Sequence, residues 1–366
     1  MKLGLFLMPT HPPERSLYDA TQWNLEVIRY ADELGYSSAW IGEHYTAPWE
    51  PIPAPDLLIA QAILQTKQIK LAPGAHLLPY HNPVELAHRV AYLDHLAQGR
   101  FMLGVGSSGL PSDWTLFNVD GENGENRKMT SEALEIMLNL WDKEREPEAY
   151  RGQYWSYNTF EQMFGGLSKH HIYPYQEPHP PIGIAGMSPG SETLKLAGER
   201  GFIPMSFGAN PEYLASHWNS VEEGAKRTGR SPNRNDWMVV KEIFVAETDE
   251  EAIETTVNSM MGRFYSEYWV PLHHHFRLVE YLKHHPSVKD EELTPEYAAN
   301  NVWFVGSPET VAQKIVNLYN ATGGFGTFMA HCHDFSDKPE PWKKSLRLLK
   351  EEVLPRVEKA IGSSVK

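Results

Sequence analysis

The sequence predicts a single (β/α)8 barrel with insertions, spanning residues 1–366. Three observations predict it. Short apolar runs alternate with amphipathic helical patterns along nearly the whole chain, the runs number eight, and no low-complexity linker separates two halves. That rhythm favours one parallel barrel over a doubly wound sheet with a second domain. A typical barrel takes about 250 residues, so roughly a hundred here belong to loops and added helices.

Leu3-Gly4-Leu5-Phe6-Leu7-Met8 is a continuous apolar run, the pattern of a strand buried on both faces. Lys2 is the only charged side chain before it, Pro9 stops it and no small-residue cleavage site follows, so it reads as a strand and not a signal peptide. A helix is expected from Leu17 to Leu34, ended by Gly35. Ser38–Gly42 is the second strand, Asp56–Thr66 the second helix and Ile69–Gly74 the third strand. Leu86, Val90, Leu93 and Ala97 recur at helical spacing, with Gly99 closing that helix. Phe101–Val105 is the fourth strand, and Arg127–Trp141 the helix after it. The rhythm breaks at 145–180, which is rich in aromatics, Gly and Pro and reads as an inserted hairpin and loop. It resumes with strand Pro181–Ala185, helix Glu192–Arg200, strand Phe202–Ser206, helix Pro211–Thr228 and strand Trp237–Ala246. A helical, His-rich, lid-like stretch at about 255–300 follows. Helix Pro308–Thr322, strand Gly326–His331 and helix Pro341–Ala360 complete the series.

The net charge of −14 argues against a nucleic-acid or anionic-membrane partner, since both usually require a basic patch. No apolar run approaches the ~18–20 residues of a spanning helix. Cys332 is the single cysteine, so no intramolecular disulfide forms, which fits a reducing, cytoplasmic setting.

Barrel active sites gather at the C-terminal ends of the strands, so the polar residues there carry the argument. Strand two ends in Gly42-Glu43-His44-Tyr45, and an imidazole at that place suits general acid–base work. Strand three runs into Gly74-Ala75-His76, where a Gly after Pro73 suggests either close approach of something flat or an ordinary turn. Gly104-Val105-Gly106-Ser107-Ser108-Gly109 matches the dinucleotide fingerprint GxGxxG, but Pro111 follows closely and no helix opens inside the motif. Small residues leaving room for a ligand ring is the better reading. Gly186-Met187-Ser188-Pro189-Gly190-Ser191-Glu192-Thr193 precedes a helix, and serves either as a phosphate cradle or as a plain N-cap by Ser191. On a strand, His331 and His333 face one side, as two metal ligands would, but no partner carboxylate is identifiable. The His residues at 170–171, 273–275, 331 and 333 are therefore read as surface or loop residues, and no metal is expected.

At these residues the chain resembles the bacterial luciferase-like flavin monooxygenases. The likeness rests on Lys2–Pro9, Gly42-Glu43-His44, Gly74–Pro79 with His81-Asn82-Pro83, and Leu96–Phe101 leading into Gly104-Val105-Gly106. Leu196–Gly201, Val305–Val311 and Ala321–Gly324 extend it in one order over nearly the whole chain. Trp49–Pro53, the Ala72–Pro79 stretch with His76, and Phe325-Gly326-Thr327 resemble the limonene and diketocamphane monooxygenases within that family.

The resemblance implies FMN bound at the barrel mouth, reduced by a separate flavin reductase, with O2 as co-substrate. The substrate would be a small apolar molecule such as a terpene, cyclic ketone or aldehyde, and the chain a homodimer. It implies His44 as the active-site imidazole. Gly74, Ala75 and His76 would line the flavin ring, Gly106 and Ser107 would lie beside it, and Ser206 would touch it. Gly186, Met187, Ser188, Ser191 and Thr193 would hold the phosphate. It also implies a non-prolyl cis peptide at Gly74–Ala75. Two departures stand out: no Arg occupies the place near Ser107 where luciferase has a phosphate-neutralising one, and the phosphate segment is longer here. Aromatics at Tyr154, Trp155, Tyr157, Phe160 and Phe264–Trp269 suit an apolar substrate. The rival readings are an F420-dependent oxidoreductase of the same fold, a non-catalytic flavin-binding protein, and a metal hydrolase using the His clusters.

Overall fold

The computed structural model describes residues 1–145, 148–159, 163–188 and 190–363, excluding the side chains of Pro9 and Ser363. The first apolar run forms β1 (Lys2–Thr10), flanked by β2 (Ser38–Ile41) and by β8 (Thr327–His333). With β3 (Lys70–Pro73), β4 (Leu103–Gly106), β5 (Ile182–Gly186), β6 (Ile203–Ser206) and β7 (Met238–Val245), these strands run parallel in the order β3-β2-β1-β8-β7-β6-β5-β4. The third strand closes the ring. It pairs with the start of β4 through Leu71 and Phe101, breaks at Gly74-Ala75, and resumes as His76–Leu77, which pairs with Val105 and Gly106. The Gly74–Ala75 peptide is cis, as the family resemblance implies.

Strand alternation divides the core in two. Leu3, Leu5, Leu7, Ile41, Val239, Phe328 and Cys332 face the helix layer, while Phe6, Trp40, Met205, Val240 and Met329 fill the barrel interior. Cys332 thereby points away from the barrel mouth. The Trp40 indole occupies the interior because two strand glycines make way for it. A Cβ at Gly183 would lie 2.5 Å from its Cη2, and one at Gly104 would meet both its ring and the Pro73 carbonyl. Gly104 thus makes room for a core indole and not for a ligand.

The helices begin at the caps that local chemistry dictates. Asn82 accepts from the backbone N–H groups of Val84 and Glu85 at the start of α3 (Pro83–Ala97), following α1 (Leu17–Glu33) and α2 (Pro55–Ile63). The α3 helix ends one residue before the expected glycine: Gln98 already adopts a left-handed conformation, with φ of 50°. A short α4 (Pro111–Phe117) precedes α5 (Glu125–Trp141), and α6 (Glu192–Arg200) and α7 (Pro211–Arg227) flank β6. The His-rich stretch folds as short helices, α8 (Asp249–Val257), α9 (Met260–Phe264), α10 (Val270–His275) and α11 (Pro295–Asn301), before α12 (Pro308–Thr322). The expected final helix is α13 (Pro339–Leu348) and α14 (Leu354–Ser363), joined by a π-helical turn.

One irregularity shapes the mouth. β7 pairs with β6 only at Met238 and Val239, and follows β8 as far as Glu242. Its last residues, Ile243–Val245, pair with a separate short strand, Phe304–Gly306. Past Val239, β6 and β7 have parted.

Candidate active site at the barrel mouth

The loop after β2 carries His44, and α4 reaches over to hold it. Asp113 Oδ2 lies 3.2 Å from His44 Nδ1, while its Oδ1 accepts from the Thr46 N–H at 2.9 Å and the Thr46 hydroxyl at 2.6 Å. The same carboxylate therefore fixes both the loop and the ring. On the other side of the imidazole, Nε2 stands 3.6 Å from Glu50 Oε2, which also accepts from the Tyr268 hydroxyl at 3.1 Å. Burial opposes the charged imidazole, but the Glu50 and Asp113 carboxylates outweigh it and raise the His44 pKa. Burial likewise raises the Glu50 carboxyl, against the pull of His44 and Tyr268. Burial would raise Asp113 too, but the bonds from His44 and Thr46 hold it low. A base–acid pair with unequal environments is the arrangement that moves a proton near neutrality.

Behind this pair, Glu43 is buried between two imidazoles. His76 Nδ1 and His81 Nε2 each lie 2.8 Å from its oxygens, and the Tyr45 hydroxyl donates to it at 2.9 Å. Burial disfavours its charge, yet the two imidazoles win and hold its pKa down at about 2.

A cavity of 560 Å³ opens where β6 and β7 part. Phe207–Ala209 and Val240–Glu242 form its wall, and Tyr265, Trp269, Tyr281, Leu282, Val302 and Trp303 cover it. Met187, Ser188, Ser191, Thr193 and Arg127 also line it. Among the described residues the Arg127 guanidinium makes no ion pair or side-chain hydrogen bond. Ser191 caps α6, its hydroxyl accepting from Leu194 N–H at 3.3 Å and paired with Thr193 Oγ1 at 2.8 Å. Capping and cavity lining thus coincide at this residue. Lys241 Nζ, also on the wall, donates to the Gly208 carbonyl, and burial pushes its pKa down to about 7.

The structure sorts the expected site residues into two groups. Ser188, Ser191, Thr193 and Met187 line the cavity. His44, Gly74, Ala75, Gly106 and Ser107 stand partly exposed at the ends of β2, β3 and β4, outside its lining. A Cβ at Gly106 would lie 3.2 Å from that of Ala75, so these two are neighbours. His331 also lines the cavity.

Three more of the expected residues lie outside the cavity lining. His76 is fully buried, with its Nδ1 bonded to Glu43. Gly186 lies under α6, packed against Leu194 and Ser191. Ser206 faces the helix layer, because Met205 faces the interior and strand neighbours alternate; its hydroxyl accepts from Trp237 Nε1 at 2.9 Å, and Phe207 reaches the cavity instead. Nor do the described residues of 145–180 reach this cavity: Tyr157 lines a separate one of 250 Å³, Tyr154 and Trp155 line neither, and Phe160 lies outside the described residues. From the 255–300 stretch, Tyr265 and Trp269 do line it.

Sequence reasoning missed Asp113, Arg127, Lys241 and Glu242. Lys241-Glu242 inside an otherwise apolar strand was a usable signal, because such residues are seldom buried without a partner. Arg127 follows a long loop and carried none.

The luciferase-like monooxygenase model matches residues 1–324. The chain is 35% identical over 373 residues to 3,6-diketocamphane 1,6-monooxygenase of Pseudomonas putida, covering 98% of each. It is 29% identical over 344 residues to limonene 1,2-monooxygenase of Rhodococcus erythropolis, covering 89% of this chain and 79% of that one. Among solved structures, it is similar to the oxygenating constituent of 3,6-diketocamphane monooxygenase from P. putida, a type II Baeyer–Villiger monooxygenase in complex with FMN. The TM-score is 0.91 at 35% identity, over 98% of both chains. With the family model matched over residues 1–324 and relatives matched over nearly its whole length, this chain belongs to the luciferase-like monooxygenase family.

Proposed function

We propose that this chain is the oxygenating component of a two-component monooxygenase, which takes reduced FMN from a separate reductase and uses O2 to oxygenate a small apolar ketone or terpene. The observation that carries the reading is the Arg127 guanidinium, without a described ion pair, on the lining of the same aromatic-roofed cavity as Ser188 and the capped start of α6. A cation, hydroxyls and helix N–H groups together suit a phosphate monoester. The cation sought near Ser107 comes instead from α5. Residues fitting the group are Arg127, Ser188, Ser191 and Thr193 for the phosphate, with Gly74, Ala75, Gly106 and Ser107 offering low walls for the ring.

Reduced FMN, once bound, supplies the electrons that activate O2. The chain's own residues do the rest. Asp113 fixes the His44 ring, and Asp113 with Glu50 keeps it protonated to higher pH, so that a proton is held at the imidazole. Tyr265, Trp269 and Trp303 exclude water from the substrate space. The relatives' substrates, diketocamphanes and limonene, are compact and apolar, as this roof is.

The exposed apolar side chains Leu57 and Leu64 at α2, with Tyr92 and Leu96 on α3, support a homodimer through that face. The buried free thiol of Cys332 suits a cytoplasmic setting. No described helix is long and apolar enough to cross a membrane.

The test supplies chemically reduced FMN and 18O2 with a panel of cyclic ketones, terpenes and long-chain aldehydes. One labelled oxygen atom in a product, absent without the protein, supports the reading. Tight FMN binding with no labelled product would make this a flavin-binding protein. Preferential binding of F420 with hydride transfer would make it an F420 enzyme.

A further inference from the structure

The pair His331 and His333 lacked a carboxylate in the sequence, and the fold supplies one. Val240 and Met329 face the barrel interior, so Glu242 and His331, two residues on in each strand, face inward as well, and His333 follows at the next inward position. Glu242 and His331 are register partners across β7 and β8. Glu242 Oε1 lies 2.5 Å from His331 Nδ1, and Oε2 lies 2.5 Å from His333 Nε2. All the ligand atoms fall within 4.8 Å of one another. A tetrahedral ion with bonds of about 2.1 Å holds its ligands about 3.4 Å apart, so small side-chain movements suffice to admit one.

The surroundings favour a cation there. No Lys or Arg bonds to Glu242 among the described residues; the Lys241 amine turns to the Gly208 carbonyl instead. The two imidazoles are nearly closed off, 6% and 1% exposed, while the Glu242 side chain is 21% exposed. Glu242 and His331 reach the cavity wall and His333 does not, so the side opposite His333 opens to the cavity.

A second cluster of the same composition marks the contrast. Glu43, His76 and His81 also lie within bonding reach of one another. But Glu43 already accepts from Tyr45, and His81 Nδ1 faces the Arg89 guanidinium at 3.3 Å. The Glu43 and His76 side chains have no exposure, and only His81, at 12%, is partly exposed.

We propose that Glu242, His331 and His333 bind one divalent transition-metal ion, with a remaining coordination position open to the cavity. Two imidazoles and one carboxylate select Zn2+, Co2+ or Ni2+ over Mg2+ and Ca2+. Among the described residues the outward nitrogens, His331 Nε2 and His333 Nδ1, have no hydrogen-bond partner. The ion would rely on the sheet for ligand orientation and not on outer hydrogen bonds.

The test uses tag-free, chelator-treated full chain without flavin, titrated with Co2+ by calorimetry and by visible d–d absorption. The expected result is one Co2+ per chain with four- or five-coordinate bands. Loss of an outer hydrogen-bond partner alone weakens such sites by roughly 10- to 100-fold, so His333→Gln and, independently, His331→Ala should exceed that. His81→Ala should bind as the parent does. Thermal melts identify a variant that fails to fold, and the other then decides. No Co2+ bound, binding that survives both cluster variants, or binding lost in a folded His81→Ala protein would each overturn the assignment. None of these readouts depends on the flavin.

Discussion

Replacing Arg127 with Ala should weaken FMN binding by roughly 10- to 100-fold and leave riboflavin binding unchanged. A hydrogen bond to a charged group contributes about 1.5–3 kcal/mol, and each 1.4 kcal/mol is tenfold in affinity. The structure argues for the upper half of that range. Arg127 has no described ion pair or side-chain hydrogen bond, so truncating it breaks no described polar contact within the protein. The neighbouring cation is a poor substitute, because Lys241 is already committed to the Gly208 carbonyl and its pKa has fallen to about 7. The start of α6 contributes about 0.3–1 kcal/mol, and Glu192 in its first turn works against an anion. The assay is fluorescence titration of FMN and of riboflavin at low ionic strength, on parent and variant. An FMN affinity within twofold of the parent would remove Arg127 from the phosphate site. An equal loss for riboflavin would show that the residue shapes the protein and not the phosphate contact.

Three further outcomes follow from the same geometry. Asp113→Asn should lower the pKa of His44, since the carboxylate helps hold the imidazole charged, and the pH profile of turnover should move to lower pH; His44→Ala should cost about 10²-fold or more in turnover, and an unmoved profile in Asp113→Asn would deny the pairing. Glu43 is depressed from 4.5 to about 2, so its contribution, on the order of 3 kcal/mol, is present above pH 4.5 and lost as pH falls towards 2; denaturant unfolding of Glu43→Gln should show a deficit at pH 7 that shrinks below pH 4. Gly183→Ala should destabilise by about 1–3 kcal/mol through overpacking, because its Cβ would stand 2.5 Å from Trp40. Trp40→Phe in the same chain should recover part of that loss, and strict additivity in the double-mutant cycle would refute the packing account.

The eight strands were legible in the sequence because each is a short apolar run between turn residues, and a barrel strand buried on both faces needs little else. The cap at Ser191 was legible too. What stayed hidden depended on register and face. Ser206 sits at a strand end, as a site residue should, but only its parity with Met205 shows that it points to the helices. Gly104 and Gly183 resemble ligand-clearing glycines until Trp40 is found against them. Glu242 could not be joined to His331 while the offset between β7 and β8 was unknown. The helix α4 and the strand Phe304–Gly306 were too short to leave a periodic signal, although α4 delivers Asp113 to His44.

The parting of β6 and β7 reaches beyond the shape of one cavity. Its wall is backbone, set by where two strands stop sharing a ladder, whereas its roof comes from side chains on short helices between β7 and α12. The roof touches the site through the Tyr268 hydroxyl, which donates to Glu50. A change confined to the roof that spares Tyr268 would reshape the cavity while leaving its backbone wall in place.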